Sequence, residues 1–176
     1  MSAAIMNIED SVLVRKVREA FGTQILETLV FRGEVTHVVD RANVRNLCNF
    51  LKIDPDLGMN YIVDVVGADY YGNDPRFEVV YHLYSIRKKH RIRIKVRVNE
   101  GETVPSVTSI WPGADWPERE VYDMYGIAFD GHPNMKRIYM AEDWEGYPLR
   151  KDYPLRGYKD RYNPNGVERE PESILD

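Results

Sequence analysis

The sequence predicts an α+β fold in which helices pack on a mixed, largely antiparallel sheet, followed by an extended C-terminal arm. Apolar and polar side chains alternate in 77–84 and 91–98, which is the period of a β-strand. Two earlier segments carry apolar residues at helical spacing. Neither period persists after residue 140. We therefore expect an α+β domain over 1–140 and a partner-binding arm over 141–176.

The first helix is expected to begin at Asp10 or Ser11, either of which can cap it, and to end at Gly22. Two short strands, 24–31 and 34–40, are expected to follow it. The apolar side chains that form the buried stripe of this helix are Leu13, Val14, Val17 and Phe21.

A second helix is expected to start at a cap formed by Asp40 and to end before Pro55. Its apolar stripe consists of Val44, Leu47, Cys48 and Leu51. Cys48 is the only cysteine, so the chain cannot form an internal disulfide or supply the cysteines of an iron–sulfur cluster. We interpret Cys48 as a small core residue.

A longer strand over 61–71 is expected to precede a hairpin whose two arms are joined by a short polar link. The basic strand 91–97, with Tyr84 nearby, supports an alternative function as a small nucleic-acid-binding module. The other interpretation is a sheet surface whose cations pair with acids such as Glu78 and Asp64. The net charge of −4 favours this second interpretation. The cations of the basic strand are Arg91, Arg93, Lys95 and Arg97.

A third helix is expected to start at Asp115 or Trp116, with Pro117 in its first turn, and to end at Gly126. Its packing side chains are expected to be Val121, Met124 and Tyr125. The helix also carries three carboxylates within about two turns: Glu118, Glu120 and Asp123.

These three carboxylates, with His132 nearby in sequence, suggest a metal hydrolase as a third hypothesis. Helical spacing argues against a shared metal site, because it places the second and third carboxylates on one side and the first elsewhere. Arg119 lies four residues from Asp115 and from Asp123, which suits ion pairing along one helix face. We therefore favour a capped, ion-paired helix.

The segment after residue 140 is rich in proline, glycine, tyrosine and charged residues and cannot close a core of its own. Its aromatic side chains are costly to leave in water and are of the kind that protein interfaces favour. We expect this arm to lie along a partner chain. The aromatic residues are Trp144, Tyr147, Tyr153, Tyr158 and Tyr162.

Membrane association is expected only through partners. Residues 1–10 carry no basic segment followed by an apolar run, so no signal peptide is predicted. No stretch approaches the roughly 20 apolar residues of a membrane span.

Three parts of the sequence carry a specific pattern. The first is FEVVYHLY at 77–84, continued by 91–98. The second is EREVYDMYGI at 118–127, followed by GHP at 131–133 and KRI at 136–138. The third is DWEGYPLRKDYPL at 143–155. Together they resemble the 30-kilodalton subunit family of respiratory complex I, which is the C-type subunit of NADH-quinone oxidoreductase and the J-type subunit of the cyanobacterial and plastid enzyme.

This resemblance implies a non-catalytic, cofactor-free structural subunit of the peripheral arm of a proton-translocating NADH:quinone oxidoreductase. That complex passes electrons from NADH to quinone, and the resemblance places FMN and the iron–sulfur clusters in partner subunits. The implied partners are chiefly the 49 kDa (D-type) subunit and neighbouring iron–sulfur subunits, and no nucleic acid. The implied location is the cytoplasmic side of the bacterial inner membrane, or the stromal or cytoplasmic side of a thylakoid.

The resemblance also implies which residues build the partner interface. Tyr125 stands where the family commonly has phenylalanine. The positions that match the family pattern are Glu118, Arg119, Glu120, Tyr122, Asp123, Tyr125, Gly126, His132, Pro133, Arg137, Trp144, Arg150, Lys151 and Tyr153.

Overall fold

A computed structural model of the chain describes residues 11–168. The proposed cap at Asp10, the first ten residues of the predicted domain and the last eight of the predicted arm lie outside this range. The helices are α1 Val12–Phe21, α2 Val44–Ile53 and α3 Asp115–Tyr125. The strands are β1 Ile25–Phe31, β2 Glu34–Val39, β3 Tyr61–Asp69, β4 Phe77–Ser85, β5 His90–Val98, β6 Thr103–Pro105 and β7 Ala128–Asp130.

Five strands form a mixed sheet in the order β1-β2-β5-β4-β3. Only β2 and β5 run parallel in this sheet, and the other neighbours are antiparallel. The predicted hairpin is β4–β5, in which Tyr81 pairs with Ile94. A separate parallel pair joins β6 to β7. This arrangement confirms the predicted α+β class with a largely antiparallel sheet.

The core lies between the helices and one face of the sheet. It joins Val14, Leu47 and Leu51 of the helices to Val79 and Ile94 of the central strands. Burial of these side chains supplies the main stabilisation of the fold. Cys48 is buried among them, as expected, and burial raises the pKa of its thiol.

Within 11–168 only α1 has the predicted side-chain cap at its start, because Asn43 and Ala114, which precede α2 and α3, make no side-chain capping hydrogen bond. Ser11 caps α1 by accepting a hydrogen bond from the Val14 N–H at 3.4 Å. Gly126 ends α3 in the left-handed conformation, with φ +78°. Asp40 differs from the prediction, because its carboxylate caps a 3₁₀ turn over 41–43 that precedes α2. Within 11–168, no helix is long and apolar enough to cross a membrane.

The start of the predicted arm lies along the chain's own domain. Within 141–168 the only regular pairing is a bridge between Tyr158 and Val167. The Leu149 N–H donates to the Met124 carbonyl of α3 at 3.1 Å. The Leu149 hydrogen bond anchors the start of the segment to the body of the protein, and its lying along a partner stays a prediction.

Candidate partner interface

The three carboxylates of α3 differ in burial and in the segments that they contact. Glu118 and Asp123 are both fully buried, whereas Glu120 is exposed. Glu118 faces the segment after β6, and Asp123 faces the segment after β7. The structure thus separates the carboxylates that the metal-hydrolase hypothesis would have combined. Among the residues described, no group of three or more potential ligand side chains is arranged to hold a metal ion.

The Asp123 carboxylate is enclosed by donors from the segment 137–140. Arg137 Nη1 donates to Oδ1 at 2.8 Å. Burial opposes ionisation of Asp123, but these donors outweigh it and lower the pKa of the carboxyl. Oδ2 accepts three backbone N–H bonds, from Ile138 at 3.0 Å, Tyr139 at 2.7 Å and Met140 at 3.0 Å.

The ion pairs predicted for Arg119 are not the contacts that it makes. Its Nε donates to the Lys136 carbonyl at 3.0 Å and its Nη2 to the Arg137 carbonyl at 3.2 Å. Its guanidinium also lies over the Trp116 ring, 4.9 Å from the ring centre. The reason is tertiary: Arg137 reaches Asp123 from the following segment, and the carbonyls of that segment lie beside Arg119.

Glu118 connects α3 to the segment after β6. Its carboxylate accepts from Ser106 Oγ at 2.7 Å and from the Val107 N–H at 2.8 Å. Burial raises the pKa of Glu118 to about 7, and the two hydrogen bonds only partly oppose this shift. The buried Glu118 side chain therefore connects α3 to the segment 106–107, and its charge depends on pH near neutrality.

The signature residues are those that match the family pattern, and their closing element, residues 143–155, packs on the C-terminal end of α3. Arg150 Nε donates to the Tyr125 carbonyl at 2.7 Å. The Tyr147 ring lies 4.5 Å from the Arg150 guanidinium and 5.1 Å from that of Arg137. A β-carbon at Gly126 would lie 2.5 Å from this ring, so the close approach requires glycine.

Two further residues, Asp69 and Arg76, hold the closing element, and no sequence pattern predicts their role. Asp69 accepts from the Lys151 N–H at 2.8 Å and from Arg76 Nε at 2.9 Å. Arg76 also donates to Asp152 at 2.7 Å. The hydrogen bond from Arg76 is the main cause of the lowered pKa of Asp69. Because Asp69 and Lys151 are 82 positions apart, no local pattern identifies this contact.

The remaining signature residues pack within the same region. His132 accepts from the Asn134 N–H at Nδ1, so its Nε2 donates to the Asp115 carbonyl at 3.2 Å. The Tyr125 ring covers Gly67 of β3, where a β-carbon would lie 2.5 Å from it. The other aromatic contacts are Trp144 with Tyr162 at 5.9 Å and Tyr153 with Tyr158 at 5.2 Å. Tyr122 is half-buried on α3, and Pro133 is exposed.

The basic strand is largely neutralised by acids of its own sheet. Glu78 binds Lys95 at 2.7 Å, as predicted, and Arg97 lies 3.6 Å from it. Asp64, the other predicted partner, instead accepts from the Val65 N–H. The remaining pairs are Arg93 with Glu34 at 2.6 Å and Arg97 with Glu27 at 2.9 Å. This pairing disfavours the nucleic-acid alternative, which needs free cations.

The comparison with protein families matches residues 37–159 to the family described as respiratory-chain NADH dehydrogenase, 30 Kd subunit. The matched range contains α3 and the whole closing element.

Individual relatives agree with this match over most of their length. A Rhizobium etli protein, named as a second C-type subunit of NADH-quinone oxidoreductase, is 46% identical over 166 residues, covering 94% of this chain and 89% of that protein. A Geotalea uraniireducens protein, named as the C-type subunit of the same enzyme, is 51% identical over 150 residues, covering 85% and 90%. A Roseiflexus protein with that same name is 46% identical over 151 residues, covering 85% and 87%.

Proposed function

The chain belongs to the family of the 30 kDa subunit of respiratory-chain NADH dehydrogenase, and from this membership we propose a structural role for it. As a subunit of NADH-quinone oxidoreductase, it is a non-catalytic, cofactor-free component of the peripheral arm. Electrons pass from NADH through FMN and iron–sulfur clusters of other subunits to quinone, coupled to proton translocation. The chain orders partner surfaces and so maintains the distances between those centres.

The main support for this proposal is that the buried carboxylates of the signature bind groups of their own chain. Asp123 and Glu118 have no exposed area, and their oxygens are occupied by groups of their own chain. A general acid or base must come within hydrogen-bond reach of its substrate. These carboxylates instead hold the segments 106–107 and 137–140 against α3, which supports a role in building a rigid surface.

The proposed partners are the 49 kDa (D-type) subunit and neighbouring iron–sulfur subunits. Exposed aromatic side chains near α3 and in the predicted arm supply the residue types that interfaces favour. Trp116 is 65% exposed, Tyr139 66% and Tyr162 46%. Through these partners the chain associates with the membrane, on the cytoplasmic side in bacteria or the stromal or cytoplasmic side of a thylakoid.

Affinity purification of the full chain from native membranes in mild detergent tests this proposal. We expect the chain to co-purify with the 49 kDa subunit and the iron–sulfur subunits. We also expect the isolated chain to be colourless. Recovery of the chain without these subunits would contradict the proposal, and so would stoichiometric iron or flavin retained through gel filtration.

Arg119→Ala separates a structural role from a chemical one. The change removes two hydrogen bonds to the carbonyls of Lys136 and Arg137, each with a net contribution of about 0.5–1.5 kcal/mol. We expect less assembled complex in the membrane and unchanged quinone reductase activity per assembled complex. Arg15→Ala is the control, because Arg15 is an exposed arginine of α1 whose pair with Glu19 spans 3.9 Å. Normal assembly with activity per complex near background would contradict a structural role.

A further inference from the structure

Trp116, Glu120 and Tyr139 form an exposed cluster beside α3. Trp116 and Glu120 are four positions apart on the helix and are therefore neighbours on its surface. The Tyr139 hydroxyl donates to Glu120 Oε2 at 3.4 Å. About two-thirds of each aromatic residue is exposed, 65% for Trp116 and 66% for Tyr139. An exposed carboxylate thus adjoins two exposed rings.

The buried part of the signature holds this cluster in place. The Tyr139 N–H donates to Asp123 at 2.7 Å. The Trp116 ring has the Arg119 guanidinium stacked on it, and two backbone carbonyls fix that guanidinium. Because the side chains are ordered before any partner arrives, binding costs less conformational entropy.

The cluster has the chemistry of a cation receptor. Within residues 11–168, no lysine, arginine or histidine forms an ion pair with Glu120, and the adjacent Arg119 donates to backbone carbonyls. An apolar partner would leave the carboxylate buried and unpaired, which is costly. A guanidinium can stack on an aromatic ring and donate two hydrogen bonds to a carboxylate, whereas an ammonium cannot combine both geometries.

We propose that Glu120, Trp116 and Tyr139 form a receptor for an arginine side chain of another subunit of the complex. This inference rests on the proposed function, because it specifies the chemistry of one contact that such a subunit makes. The arginine pairs with the Glu120 carboxylate and packs against the two rings, while Asp123 and Arg119 position the receptor from behind.

Retention of the full chain in the detergent-solubilised complex tests the receptor. The complex is purified from membranes at increasing salt, and the amount of chain per complex is measured. We expect Glu120→Gln to weaken retention at least about tenfold, as for truncation of a buried interfacial charge pair. Trp116→Leu and Tyr139→Leu should weaken it in the same direction. Retention of Glu120→Gln equal to the unaltered chain would overturn the receptor.

Controls separate binding from folding and from the proposed function itself. Glu19→Gln makes the same charge change at an exposed position of α1 and should leave retention unchanged. Urea unfolding of the isolated Glu120→Gln chain should match that of the unaltered chain, because Glu120 is exposed. If the unaltered chain fails to co-purify, the proposed function fails. If it co-purifies and Glu120→Gln is retained equally, only the receptor fails.

The identity of the partner group is tested by cross-linking followed by charge exchange. A photo-reactive benzoylphenylalanine at position 139 should cross-link to a peptide of another subunit that contains an arginine. Changing that arginine to glutamate should weaken retention, and combining it with Glu120→Arg should restore it. Cross-links to lipid or to a peptide without arginine would overturn the receptor, as would absence of rescue.

Discussion

The Arg137 guanidinium meets the buried carboxylate of Asp123, with Nη1 2.8 Å from Oδ1 and 3.2 Å from the Asp123 carbonyl oxygen. The next three residues donate their backbone N–H groups to the other carboxylate oxygen. One side chain therefore holds the segment 137–140 against the last turns of α3. The same segment presents Tyr139 at the surface, so the buried pair and the exposed receptor are mechanically linked.

Asp123→Asn is expected to lower the free energy of unfolding by about 3–5 kcal/mol at pH 7, because it leaves Arg137 partly buried without its charge partner. The folded-state pKa of Asp123 lies below its ordinary value of 3.8. The stabilisation contributed by the ionised Asp123 carboxylate is therefore present above that value and is lost as pH falls through the folded-state pKa. Urea unfolding should show the gap between variant and unaltered chain narrowing in strong acid.

Asp130→Asn is the matched control for this measurement. It makes the same substitution at an exposed position and should change the free energy of unfolding by less than about 0.5 kcal/mol. A gap for Asp123→Asn that stays constant from neutral to strongly acidic pH would show that the charge of Asp123 is not what stabilises the segment.

Glu118→Gln is expected to change the pH dependence of stability in the opposite direction to Asp123→Asn, and in a higher pH range. Burial raises the pKa of Glu118 from 4.5 to about 7, so the folded state holds its proton more tightly than the unfolded state does. The stabilising contribution of the Glu118 side chain should be greatest below about pH 4.5 and decline as pH rises to about 7, by a few kcal/mol. The glutamine variant should remove this decline. An identical decline in both proteins would contradict the assignment.

Gly126→Ala should loosen the closing element. A β-carbon there would lie 2.5 Å from the Tyr147 ring, and the residue has φ +78°. Gly131→Ala is the matched control, because Gly131 has φ +77° and open space around it. The control should lose about 1–2 kcal/mol of unfolding free energy from backbone strain alone. Gly126→Ala should lose more and expose amides of 147–152 to hydrogen exchange. Equal losses would mean that the Tyr147 contact adds no stability.

Trypsin should cleave two parts of the predicted arm at different rates, because one part is bonded to the domain and the other is bonded within the arm. The Lys151 N–H and the Arg150 side chain are bonded to Asp69 and Tyr125 of the domain. The backbone hydrogen bonds of 157–167 stay within the segment 154–167. In the isolated chain we expect faster cleavage after Arg156, Lys159 and Arg161 than after Arg150 and Lys151. In the assembled complex all these sites should be protected, and equal rates in both states would contradict the partner-binding arm.

The sequence predicted the elements of the fold because their signals are local. Period-two alternation identified the β4–β5 hairpin, and helical spacing identified the buried stripe Val44, Leu47, Cys48 and Leu51. The predicted strand over 61–71 is two residues too long: β3 ends at Asp69, whose side chain binds Arg76 and the Lys151 backbone, and the chain turns over 71–75. Strand propensity says nothing about such a contact.

The sequence also singled out α3 and the closing element through the family pattern, but not how their residues interact. Spacing on a helix describes only neighbours within one or two turns, so it paired Arg119 with Asp115 and Asp123. The tertiary structure decided otherwise. It brought Arg137 to Asp123 from a segment 14 positions away and turned Arg119 towards backbone carbonyls.

By itself, then, the sequence determined the periods, the cap of α1, the glycine that ends α3, the single cysteine and the family pattern, because each depends on residue type or on residues close together in the chain. Only the tertiary structure decided which carboxylates are buried, which cations they meet and which side chains stay exposed. Glu118, Glu120 and Asp123 lie within six positions, yet two are buried in separate surroundings and one faces water. Their environments are set by segments from elsewhere in the chain, and that environment controls the hydration of each carboxylate and shifts its pKa from the value set by residue type.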